Sequence, residues 1–226
     1  MTASRPRKSS SLAEALANPA GVIRLSVIGT PIPVLPEAIH SLQDLEILTL
    51  NGNGLETLPE AIVELPKLRV LNLFNNALTE FPDGLSRLSR LEGLTLGDNP
   101  LRQLPNDLDR CTGLRELNLA NLPYLNFSEA WPLITSMTAL EKLSLYQNPI
   151  EALPEAIGLL GLLRVLRLFG CRIKHLPASL AHLKRLEELD LRANQLTEFP
   201  FAEKDFPVLS RLDLSFNPMG EGCIHS

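Results

Sequence analysis

Cysteine is scarce. Three thiols in 226 residues, Cys111, Cys171 and Cys223, lie far apart in the chain. That is too few and too scattered for the disulfide framework of a small secreted domain, and the expectation is a reducing, intracellular compartment. Aromatic residues make up only 5%, with a single tryptophan, Trp131. No run of about 18 apolar residues exists, so neither a membrane-spanning helix nor stable membrane insertion is expected. The opening stretch, MTASRPRKSSSLAEALANPAG, has basic residues but lacks the apolar segment of a secretory signal. Missing too are a Gly-rich phosphate loop, a CxxC pair and an HExxH motif. His40, His175, His182 and His225 show no ligand-like spacing. No catalytic set, no metal and no cofactor is therefore expected, and the chain does not read as an enzyme.

Apolar residues are plentiful, at 45%, which argues against a disordered polymer. The length suffices for a sizeable buried core. Net charge is −5, from 21 basic and 26 acidic residues. Setting aside Arg5, Arg7, Lys8 and Glu14 of the first 20 residues leaves 18 basic and 25 acidic, a net −7. A body of that sign is a poor partner for nucleic acid or an anionic bilayer.

The dominant feature is repetition. Leu45 opens LEILTLNGNGLETLP, Leu68 opens LRVLNLFNNALTEFP, and Leu91 opens LEGLTLGDNPLRQLP. Leu140 opens LEKLSLYQNPIEALP, Leu163 opens LRVLRLFGCRIKHLP, and Leu186 opens LEELDLRANQLTEFP. Starts fall at 22, 45, 68, 91, 114, 140, 163, 186 and 209, in steps of 23 except the 26 after Leu114. A fixed period of this length signals stacked coils. The central L-x-L alternates with period two, so each coil holds a short strand with one buried face. Leu48 and Leu50 point inward, and Ile47, Thr49 and Asn51 outward. One coil cannot bury its own leucines, and stacking makes one shared core. The proline closing each segment, as at Pro36, Pro59, Pro154 and Pro177, suits the first position of a short helical or 3-10 turn, ending near Leu65, Leu88, Leu160 and Leu183.

The pattern L-x-x-L-x-L-x-x-N-x-L-x-x-L/F-P resembles the leucine-rich repeat family in its 23-residue, LPxxI form, over residues 22–219. The resemblance implies an α/β right-handed solenoid, with a parallel β-sheet on the concave face and short helical or 3-10 segments on the convex face. Similar repeats occur in Ras-pathway scaffolds, Scribble-like polarity proteins and bacterial secreted effectors. The implied function is a non-catalytic protein-binding scaffold or adaptor in the cytoplasm. The alternatives are a bacterial effector secreted into a host cell, or the substrate-recruiting part of a larger enzyme. The domain expectation is a flexible basic tail over 1–10, a capping helix within 11–20, the solenoid over 21–219 and a short tail over 220–226.

Cys171 with His175, four residues on, invites reading as a reactive pair. The repeat places Cys171 in the column of Asn53, Asn76, Asn99, Asn148, Asn194 and Asn217, where the family's asparagine bonds neighbouring coils. A small buried rung is the reading adopted. The position after each first leucine alternates sign, Glu46, Arg69, Glu92, then Arg115, Glu141, Arg164, Glu187, which fits coil register.

The outward strand positions supply the candidate partner-binding face: Phe74, Tyr146, Arg167, Phe169, Asp190, Arg192 and Asp213. Aromatics and arginines are the usual anchors of protein interfaces. The long coil after Leu114 supplies a secondary candidate, Tyr124 and Trp131, against a plainer reading in which Trp131 packs under the bulge. There Ser128 is expected to cap a helix over 129–134. Cys223-Ile224-His225-Ser226 is an imperfect prenylation box.

Overall fold

The structure is a computed structural model and describes residues 6–220. The box at Cys223 lies outside the described residues. Two compact units divide the chain, Met1–Leu114 and Arg115–Ser226.

The first unit holds β1 (Arg7–Ser9), α1 (Leu12–Ala17), β2 (Val22–Ser26), β3 (Ile47–Thr49), β4 (Val70–Asn72) and β5 (Gly93–Thr95). Consecutive strands pair in parallel, and Leu25, Leu48, Leu71 and Leu94 stand in register. These leucines are buried, because each strand turns alternate residues to one side and stacking closes that side. The second unit repeats the arrangement with β6 (Glu116–Asn118), α2 (Phe127–Ser136), β7 (Lys142–Ser144), β8 (Val165–Arg167), β9 (Glu188–Asp190) and β10 (Arg211–Asp213). Leu117, Leu143, Leu166, Leu189 and Leu212 form its register.

The return segments are 3-10 turns, at Glu37–Ser41, Glu60–Glu64 and Leu85–Arg87 in the first unit and Glu155–Leu159 and Ala178–His182 in the second. Proline stands one place earlier than the sequence suggests. Pro36, Pro59, Pro154 and Pro177 are N-caps with extended backbone. Each proline carbonyl accepts the N–H three residues on, from Ile39, Ile62, Ile157 and Leu180. Those four side chains are fully buried, so one short turn both reverses the chain and adds a core residue.

The N-terminus differs from expectation as well. Arg7–Ser9 form a strand rather than part of a flexible tail. Arg7 N–H donates to Gly21 O at 2.8 Å, and β1 occupies the edge of β2. Unpaired edge groups on β2 are thereby satisfied. Helix α1 follows, with the Ser11 hydroxyl accepting from Glu14 N–H at 3.2 Å, and packs against β1, β2 and the turn at Glu37–Ser41.

The asparagine column bonds across coils. Asn194 Nδ2 donates to Leu168 O and Leu191 O, while its Oδ1 accepts from Cys171 N–H and Ile173 N–H. Asn53 and Asn99 do the same work in the first unit, and both are buried. These amides satisfy backbone groups that the strand-to-turn corner leaves inside the protein.

Candidate functional site

Cys171 is a rung. It is fully buried, and its Sγ lies 3.0 Å from Leu145 O, in the role that Asn194 Nδ2 plays toward Leu168 O one coil later. Burial pushes its thiol up to about 11. A thiol held protonated is no nucleophile. Cys111, also buried, is pushed up to about 12 by the same cause, with Asp107 and Asp109 adding to it. His175 is exposed.

The charge ladder forms within each unit. Arg69 grips Glu92 through Nε at 3.1 Å and Nη2 at 2.7 Å and reaches Glu46 at 3.9 Å. Arg164 grips Glu187 likewise, at 2.8 and 3.0 Å. These are exposed pairs, which align coils and contribute little stability.

The second unit brings most of the candidate residues together. β8 and β9 lie one strand apart, so Phe169 and Arg192, which occupy the same place in successive coils, are neighbours. The Arg192 guanidinium sits over the Phe169 ring, 5.3 Å from its centroid. It is fixed there from the other side. Nε and Nη2 meet the two oxygens of Asp190 at 2.9 and 2.7 Å, and Nε lies 3.5 Å from Asp213. Asp190 is itself anchored, since its Oδ1 accepts the backbone N–H of Arg192 at 3.1 Å. Asp213 makes the same turn with Ser215, and the Ser215 hydroxyl is the first cause that holds its carboxyl below the usual range. The hydrogen bond to Asp190 raises the basicity of Arg192, so the cation is permanent.

Arg167 does not turn to Asp190, its neighbour in register on β9. It pairs with Glu188, Nε to Oε1 at 2.9 Å, instead of Asp190. Glu188 Oε2 also faces Arg211 at 3.9 Å, so one carboxylate serves two arginines. Tyr146 stands beside Phe169 in the next coil, half-buried. The resulting face combines two half-buried aromatic rings, a cation clamped on one of them, and paired charges around it. Missed in the sequence was the stacking of Arg192 on Phe169, although their adjacency follows from the 23-residue step.

Phe74 does not join this cluster. It lies on the first unit, where the equivalent positions one coil away are Asn51 and Gly97. The secondary candidate also divides. Tyr124 is 64% exposed, but Trp131 is 9% exposed and packs at 5.8 Å from Phe127. Helix α2 starts earlier than expected because Asn126, not Ser128, is the cap. Asn126 Oδ1 accepts from Ser128 N–H, and its Nδ2 donates to Glu129. Beginning at Phe127 turns Phe127, Trp131 and Ile134 inward. Between this helix and the next coil lies a cleft of about 480 Å³, lined by residues that include Phe127, Pro149, Ile150 and Leu153.

Among the described residues, no group of three or more His, Cys, Asp and Glu could hold a metal ion, and no helix is long and apolar enough to cross a membrane.

A sequence profile described as a leucine-rich repeat region matches residues 23–143. A search of curated proteins finds no match. Among solved structures, the chain is similar to the leucine-rich repeat domain of the type III effector XopL, with 23% identity and a TM-score of 0.67, covering 92% of this chain and 80% of that one. It is similar to an internalin of Listeria monocytogenes, with 19% identity and a TM-score of 0.64, covering 95% and 66%. It is also similar to the ectodomain of the Arabidopsis receptor kinase HAESA, solved in complex with an IDA peptide hormone, with 25% identity and a TM-score of 0.65. That match covers 88% of this chain and 34% of the receptor ectodomain, so the chain spans about a third of its length.

Proposed function

The chain belongs to the leucine-rich repeat family, and from that premise we propose that it is a non-catalytic recognition module whose β8–β9 face takes a segment of a protein partner. The observation that carries this reading is the clamp on Phe169. A ring covered by a cation, with the cation held by Asp190, is a contact surface already in one conformation. Little side-chain ordering is left to oppose binding. Tyr146, Phe169, Arg167, Asp190, Arg192 and Asp213 form the surface, and Tyr146 and Phe169 are its anchors. The peptide-bound receptor ectodomain of the same fold supports a peptide-like occupant. The two described cysteines are free thiols, which suits the cytoplasm, where the protein would act as a scaffold or adaptor.

The experiment is affinity capture with the wild type and with a Tyr146→Ala, Phe169→Ala, Arg192→Ala variant, both shown to be folded by circular dichroism. A partner held by the wild type and lost by the variant is the expected result. Equal capture by the two proteins would remove the site from this face.

A further inference from the structure

The charges of the β8–β9 face are not presented equally. Arg167 and Arg192 keep 47% and 39% of their side chains exposed, while Glu188 and Asp190 keep 20% and 13%. Their hydrogen bonds are unequal as well. Both Asp190 oxygens are taken by the Arg192 guanidinium, and Oδ1 also accepts the Arg192 backbone N–H. Glu188 Oε1 is taken by Arg167. The arginines keep unused donors. Among the described residues, Arg167 donates only through Nε, which leaves Nη1 and Nη2 without a hydrogen-bond acceptor, and Arg192 leaves Nη1. The acids are thus largely covered and occupied, and the cations are the more open groups.

The neighbouring strands do not supply the missing acceptor. In register with Arg167 stand Ser144 on β7 and, beyond it, Asn118 on β6, neither of them charged. On the other side Asp190 is occupied by Arg192. The acidic excess of the chain also lies elsewhere. Residues 7–114 carry 9 basic and 13 acidic side chains, whereas residues 115–220 carry 11 and 12. A guanidinium covered by a partner that offers no acceptor loses its water without replacement, which is costly for a charged group. With Nε engaged by Glu188, the end of the Arg167 guanidinium still offers N–H groups from Nη1 and Nη2 in parallel, a fork that a carboxylate fills with two bonds. Phe169, two residues on, and Tyr146 supply apolar surface beside it.

Resting on the reading of this face as a partner site, we propose that its occupant is an acidic peptide segment, with an Asp or Glu side chain on the Nη1–Nη2 fork of Arg167 and an apolar side chain next to it on Phe169 and Tyr146. Arg192 stays in its Asp190 fork over the Phe169 ring. The charge pairing is partly exposed, so it is screened and the complex weakens as salt rises.

Peptide selection on the full chain tests this, with random peptides displayed on phage as the probe. The wild type is expected to select peptides enriched in Asp and Glu over the starting pool, with an apolar residue close by. A selected peptide is then synthesised with an amidated C-terminus, so that side chains carry its only carboxylates. By fluorescence anisotropy it is expected to bind Arg167→Gln at least about tenfold more weakly than the wild type, the scale of a hydrogen bond to a charged group. The same peptide with glutamine for its acids is expected to lose a similar factor against the wild type and little against Arg167→Gln. Arg167 is exposed and bonds only Glu188, so its change leaves the fold in place, as circular dichroism checks. Selected peptides that lack acid enrichment, yet are lost on Phe169→Ala, overturn the acidic partner and leave the site standing. Peptides that bind the Tyr146→Ala, Phe169→Ala, Arg192→Ala variant as well as the wild type overturn the site, and the proposal with it. An acidic peptide with equal affinity for the wild type and Arg167→Gln overturns the proposal, and so does a selection that yields no peptide.

Discussion

Arg192 lies over Phe169, with its guanidinium carbon 5.3 Å from the ring centroid, while the same guanidinium is held in a fork by Asp190 at 2.7 and 2.9 Å. The aspartate therefore decides where the cation sits, and the cation decides how much of the ring is open.

Asp190 has two separable tasks. Its carboxylate fixes the guanidinium, and its Oδ1 accepts the Arg192 backbone N–H. Asp190→Asn keeps an acceptor for the backbone but removes the charge. Its melting temperature is expected to stay near that of the wild type, while partner capture falls by roughly tenfold, the scale of a hot-spot residue. Asp190→Ala loses both tasks and is expected to lower stability by roughly 1 kcal/mol as well. Thermal melts beside a capture titration distinguish the two outcomes.

The rung column gives a prediction with opposite signs at two positions. Asn194 is 5% exposed and bonds backbone groups of two coils. Asn194→Ala strands several of them and is expected to destabilise by about 3 kcal/mol or more, at roughly 1–3 kcal/mol for each buried group left unpaired. Cys171 fills the equivalent position with one weak donor. Cys171→Asn restores the amide and is expected to stabilise, by about 1 kcal/mol. Urea unfolding curves for the two variants should move in opposite directions.

The repeat made most of this fold legible. A strict step of 23 residues puts Leu48 and Leu71, or Leu166 and Leu189, side by side without any knowledge of coordinates. The same step sets Phe169 beside Arg192. The choice among partners was less legible. Arg167 has Asp190 and Glu188 both within a strand spacing, and it takes Glu188 because Asp190 is already filled by Arg192 and by a backbone N–H. Trp131 was ambiguous for a related reason. It stands in the one coil that breaks the period, and its direction depends on whether the helix begins at Asn126 or Ser128, a two-residue shift that turns a side chain through more than half a helical turn.

The buried thiols give a pH dependence. Both are raised by burial, Cys171 to about 11 and Cys111 to about 12. In the unfolded chain a thiol titrates near 8.5. The unfolded state therefore loses protons first. The stabilisation is fully present below about pH 8.5 and is lost as pH rises toward 11–12. Unfolding free energy is expected to fall across that window. Iodoacetamide at pH 8 is expected to leave both thiols untouched in the native protein and to modify both in urea, as read by peptide mass.

The long coil separates packing from recognition through two aromatics seven residues apart. Trp131 is buried against Phe127, and Tyr124 is open to solvent. Trp131→Ala removes a large side chain from beneath α2 and is expected to destabilise by about 3–5 kcal/mol, with the loss shown in thermal and urea melts. Tyr124→Ala touches no packed group and is expected to change stability by less than about 0.5 kcal/mol. If the coil binds a partner through the cleft beside α2, Tyr124→Ala reduces capture at unchanged stability. If the coil is a tolerated insertion, Tyr124→Ala changes neither. The β8–β9 assignment expects the second result, because Trp131, the larger aromatic of the insertion, is already buried against Phe127.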